Sequence, residues 1–98
     1  MVIYISGAIT NTLDYKERFS RAEEYLKQLG HAVLNPATLP LGLGYDDYMH
    51  IGYAMIDCSD AIYMIGNWTI SKGANLEYKY AYDKKKMVIF EEVKNSGI

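Results

Sequence analysis

At 98 residues, half of them hydrophobic, the chain holds one packed domain rather than a disordered segment or a multidomain assembly. A net charge of −2 lacks the basic excess that binding to nucleic-acid phosphates requires, and no apolar run approaches the ~20 residues of a bilayer span. Cys58 is the single cysteine, which excludes an intrachain disulfide and a cysteine-based metal cluster, and His31 and His50 lack metal-ligand spacing. The opening Met-Val-Ile-Tyr-Ile-Ser-Gly lacks the basic and long apolar regions of a signal peptide, so a soluble cytoplasmic protein is expected.

Residues 2–6 form a short apolar run closed by Gly7 and read as a buried strand. Asn11 and Thr12 stand as caps for a helix reaching about Leu29. Along it Tyr15, Phe19, Ala22, Leu26 and Leu29 recur at steps of three and four, and Gly30 is the expected C-cap. Residues 32–34 form a second strand, ended by Asn35-Pro36, and residues 37–44, with Pro40, Gly42 and Gly44, read as a loop. A second helix is expected over residues 46 to about 57, with Asp46 and Asp47 at its positive end and Met49, Tyr53 and Ile56 inward. Residues 60–65 form a third strand, residues 71 to about 85 a third helix, and residues 87–90 a fourth strand. The tail 91–98 adds little, and the ordered core spans about 2–90.

Strand–helix alternation predicts a flavodoxin- or Rossmann-like α/β fold. Its parallel sheet of four or five strands carries right-handed crossovers and helices on both faces. With the order 2-1-3-4, the strand order reverses between the first and third strands, where such sheets bind ligands beyond the carboxyl ends. The turns there are Gly7-Ala8-Ile9-Thr10 and the segment from Gly66 through Trp68 to Ser71.

The run from Ser71 through Gly73 to Glu77 therefore carries the most information. A capping serine, free backbone N–H groups and a lone carboxylate in the first turns of a helix favour an anion, either a ligand phosphate or the carboxylate itself. Such a position lowers a carboxylate pKa and keeps Glu77 ionised, as a nucleophile toward an electrophilic carbon must be. The competing reading makes Glu77 a first-turn acid contributing ~0.3–1 kcal/mol through the helix dipole. Trp68 reads either as a lid stacking on a base or as a plug over a small core, and Cys58 as a core residue. Ten tyrosines exceed what a core of this size needs, which points to surface contacts and to a homodimer or larger homo-oligomer.

Taken together, Tyr4-Ile5-Ser6-Gly7-Ala8-Ile9-Thr10, then Asp60-Ala61-Ile62-Tyr63, then Ser71-x-Gly73-x-x-x-Glu77 resemble the nucleoside 2-deoxyribosyltransferase superfamily. That superfamily includes deoxynucleoside 5′-monophosphate N-glycosidases. The pattern is most similar to small, often phage-borne members, and it spans roughly residues 2 to 90. The resemblance implies cleavage or transfer at the N-glycosidic bond of a nucleoside or its 5′-monophosphate. Glu77 would be the nucleophile, Tyr4 would orient it, and no metal or organic cofactor would be needed. It implies substrate contacts from Gly7, Ala8, Ile9 and Thr10 and a phosphate contact from Ser71 with Gly73 beside it. Trp68 is a candidate base contact on its stacking chemistry, and Asn35 reads either as a base contact or as part of a strand-ending turn.

The chain departs from the family pattern in two places. Gly52 stands where an aspartate commonly assists the leaving base, and Ala8 and Thr10 replace the Ser and Arg of the monophosphate glycosidases. Asp57, Asp46 and Asp47 are the acids available as substitutes for the missing aspartate. Loss of that acid also leaves open a silent nucleotide-binding or sequestering module.

Overall fold

The structure, a computed structural model, describes residues 1–92. Four strands, β1 (Val2–Ser6), β2 (Ala32–Leu34), β3 (Ala61–Met64) and β4 (Met87–Phe90), form one sheet in the order β2-β1-β3-β4. All three pairings are parallel, with Tyr4 opposite Leu34 on one side and Ile62 on the other. The crossovers carry α1 (Tyr15–Gln28), α2 (Tyr45–Asp57) and α3 (Lys72–Asp83), and single 3-10 turns follow β2 (Pro36–Thr38) and β3 (Trp68–Ile70). The α/β class, the strand order and the switch between β1 and β3 all agree with the sequence expectation. Among the described residues, no helix is long and apolar enough to cross a membrane.

The core lies in two layers, because successive strand residues point to opposite faces. Ile3, Ile5, Ala61, Tyr63 and Ile65 pack against Phe19, Ala22 and Leu26 of α1. Tyr4, Ile62 and Met64 pack on the other face, against Ile56 of α2 and Ala74 and Ala81 of α3. At the carboxyl end, β1 and β3 approach so closely that a Cβ on Gly7 would meet Ile65 Cβ at 2.9 Å. Only a residue without a side chain lets the chain turn there.

Several boundaries differ from expectation for local reasons. α1 starts at Tyr15 rather than after Thr12, because two turns intervene: Thr12 N–H donates to Ile9 O, and Tyr15 N–H to Thr12 O. Leu29 lies outside the helix and is exposed, while Gly30 takes φ +91°, the left-handed conformation of a helix stop. α3 ends at Asp83, with Lys85 in the left-handed region at φ 60°. Cys58 caps the C-terminus of α2 and is exposed rather than in the core. The tail expectation falls, beyond residue 92, outside the described residues.

Candidate active site

Strand alternation sends Tyr4 and Ser6, two residues apart on β1, to the face covered by α2 and α3. On α3, Ala74, Glu77 and Ala81 recur at steps of three and four along the one buried stripe. The two small residues let the helix settle close to the sheet, and Glu77 is carried into the gap between them. The Tyr4 hydroxyl donates to Glu77 Oε2 at 2.7 Å, and the Ser6 hydroxyl donates to Oε1 at 2.7 Å. Both carboxylate oxygens are thus fixed, at a residue only 8% exposed.

This corrects the view of Glu77 as a first-turn acid with a lowered pKa. Glu77 is in the second turn, and the first turn of α3 contains no acid. Burial pushes its carboxyl above the ordinary glutamate range, while the hydrogen bonds from Ser6 and Tyr4 pull in the opposite direction. The Tyr4 phenol is held well above its usual value, first by burial and then by the neighbouring Glu77 charge. Tyr4 therefore stays a proton donor to the carboxylate throughout the physiological range.

A third element completes the seat. Gly52 of α2 faces the carboxylate so closely that an added Cβ would lie 2.3 Å from Glu77 Oε2 and 3.1 Å from the Tyr4 hydroxyl. The position that departs from the family pattern is thus at the centre of the arrangement. Its missing side chain makes the room that Glu77 occupies.

Glu77 and Tyr4 open onto a cleft of about 230 Å³ at the switch point between β1 and β3. Gly7, Ile9 and Thr10 from the first turn form one wall, backed by Tyr15 and Phe19 of α1. Ser71, Gly73 and Ala74 at the start of α3 form the second, and Tyr45, Tyr48 and Met49 of α2 the third. The segment after β2 roofs the cleft with Pro36, Ala37, Leu39 and Leu41. It is tied to α2 by Tyr48, whose hydroxyl donates to Pro40 O at 2.6 Å and accepts from Leu43 N–H at 3.3 Å.

Of the residues singled out from sequence, Tyr4, Gly7, Ile9, Thr10, Ser71, Gly73 and Glu77 converge on this cleft. Ser71 caps α3, accepting from Ala74 N–H at 3.1 Å. Three others do not line it. Ala8 is buried behind the turn. Asn35 caps the 3-10 turn through Ala37 N–H at 2.9 Å and donates to Glu23 Oε1 at 3.0 Å. Trp68 stacks on Tyr78 with ring centroids 5.0 Å apart and faces Phe90 on the β4 side. Nor does any of the substitute acids line the cleft: Asp46 and Asp47 are exposed, and Asp57 accepts from the Tyr80 hydroxyl at 2.7 Å. Ser6 was missed, although its two-residue offset from Tyr4 was the signal. Tyr45 and Tyr48 were missed because loop geometry decides what roofs a cleft.

The profile of the DUF4406 family, described as a domain of unknown function, matches residues 1–90. The chain belongs to the DUF4406 family. This DUF4406 chain is similar in structure to the Clostridium botulinum CMP N-glycosidase BcmB. The TM-score is 0.69 at 19% sequence identity, over 92% of this chain and 70% of that one. At that identity the likeness establishes a common fold. No curated protein matches the chain.

The two hydroxyls give a test that needs no substrate. Each hydrogen bond to the ionised carboxylate contributes about 1.5–3 kcal/mol, equivalent to roughly one to two pKa units. Tyr4→Phe or Ser6→Ala is therefore expected to raise the Glu77 titration midpoint, read by carbon NMR of the side-chain carboxyl. A midpoint unchanged in both variants would show that neither hydroxyl holds the charge.

Proposed function

We propose that this DUF4406 domain cleaves or transfers at the N-glycosidic bond of a nucleoside or nucleoside 5′-monophosphate, with Glu77 as nucleophile. The observation that carries this reading is the buried Glu77 carboxylate, held at both oxygens by Tyr4 and Ser6 and facing a cleft at the switch point. A carboxylate pinned in this way is pre-oriented, which lowers the entropic part of the barrier to attack. The fold likeness to a CMP N-glycosidase supports the same reaction class.

In the first step a Glu77 oxygen bonds to the anomeric carbon while the bond from that carbon to the base nitrogen breaks. The base leaves with the bonding pair and takes up a proton. In the second step water, or a second base, attacks the anomeric carbon from the opposite side, gives up a proton to solvent, and releases the carboxylate. Two inversions give net retention, as in carboxylate glycosidases. Glu77 is the one carboxyl group lining the cleft among the described residues, so the proton comes from solvent or a cleft hydroxyl such as Tyr45.

That feature also favours a second reading, a domain that binds a nucleoside or nucleotide without cleaving it. Incubation with a panel of nucleosides and nucleotides separates the two. The first reading expects free base by chromatography and a sugar-mass adduct on the Glu77 peptide. Thermal stabilisation without base release would favour the second, and an adduct on another carboxylate, such as Asp57, would overturn the assignment of Glu77.

A further inference from the structure

We infer that the cleft takes an uncharged nucleoside and discriminates against the corresponding 5′-monophosphate. This deepens the function proposed above and rests on it. Two observations carry it: the charge arranged around the cleft and the space inside it. Glu77 places a buried carboxyl at the floor. Asp46 and Asp47 stand at the start of α2, between the cleft residues Tyr45 and Tyr48, and both are exposed. The lining of the site, among the described residues, carries the Glu77 carboxyl and contains no Lys, Arg or His. Lys72, next to the cleft residue Gly73, is exposed to solvent.

A 5′-phosphate bears close to two negative charges at neutral pH. Bringing it into a low-dielectric cleft beside Glu77 sets like charges together where they are least screened. The side-chain donors that remain are neutral: Ser71, the motif serine, accepts from Ala74 N–H in its capping role and keeps only an uncharged O–H to donate. What the cleft does offer suits a neutral ligand. Phe19, Met49, Leu39 and Leu41 supply apolar surface, and Tyr15 and Tyr45 supply ring faces with polar tips. Its volume of about 230 Å³ falls below the roughly 300–1,000 Å³ typical of ligand pockets, which also favours the smaller member of each pair.

The test compares each nucleoside with its own 5′-monophosphate by isothermal titration calorimetry, using wild type, Glu77→Gln and the double variant Asp46→Asn/Asp47→Asn. The nucleoside is expected to bind wild type at least tenfold more tightly than its monophosphate. The double variant is expected to gain several-fold for the monophosphate, with nucleoside affinity unchanged, and Glu77→Gln to narrow the gap further. A purely structural role for the two aspartates would move both ligands together. A monophosphate that binds wild type as tightly as the nucleoside, or more tightly, overturns this inference and leaves the proposed function standing. Binding of neither ligand overturns both.

Discussion

Glu77→Gln is expected to lower base release by at least about 10³-fold under the mechanism proposed, in which removing the covalent nucleophile takes away a bond-forming step rather than a binding contact. Ligand affinity should change far less. The expectation for stability is sharper, and opposite in sign to what a first-turn acid would give. A folded-state pKa raised above the ordinary glutamate value of 4.5 means that the folded chain holds a proton more tightly than the unfolded one. Stability therefore falls as pH rises from 4.5 to the raised value, at about 1.4 kcal/mol for each unit of separation, and stays reduced above it. The glutamine variant keeps the shape, loses the charge, and should melt at or above wild type at pH 7 without that decline. A variant melting several degrees lower, with the pH dependence intact, would mean that ionised Glu77 stabilises the fold.

Gly52→Ala carries the second large effect. In an ordinary helix this change stabilises by up to about 1 kcal/mol. Here the new methyl would lie 2.3 Å from Glu77 Oε2, an oxygen that Tyr4 holds in place. The carboxylate must leave Tyr4 or α2 must move, and overpacking of this kind costs about 1–3 kcal/mol. Under the mechanism proposed, activity should fall with it, because Glu77 is displaced. The decisive comparison is made in a Glu77→Ala background, where only the Tyr4 hydroxyl, 3.1 Å from the new methyl, remains close and Gly52→Ala should cost far less. A coupling of roughly 0.5–3 kcal/mol is expected from the double-mutant cycle by chemical denaturation. Additive effects would remove Gly52 from the seat. Gly52→Asp, which would install the aspartate common in the superfamily that the sequence resembles, should damage the site rather than supply an acid.

The fold was legible because each element carried its own period. Phe19, Ala22 and Leu26 announced the buried face of α1, and the short apolar runs of β1 and β3 announced strands covered on both sides. The switch point followed from strand order alone, and with it the convergence of Gly7, Thr10, Ser71 and Glu77. Other features depended on distances across elements that no local pattern encodes. The contact of Gly52 with Glu77 joins two helices, and the Trp68 stack on Tyr78 joins a turn to a helix. The burial of Glu77 was in fact readable, since Ala74 and Ala81 flank it on one helical stripe. A dipole argument based on distance from the helix start concealed it.

The hydroxyls of Tyr4 and Ser6 meet their acceptor 73 and 71 residues later in the chain. During synthesis the unit β1–α1–β2 is complete by Leu34, yet β1 has no second neighbour until β3 emerges, and the two hydroxyls have no carboxylate until α3 does. The arrangement of Tyr4, Ser6 and Glu77 therefore cannot be present until α3 has been made, and it depends on contacts of long sequence separation. A change that eases the burial of Glu77 should ease the docking of α3 while removing the acceptor that the two hydroxyls meet.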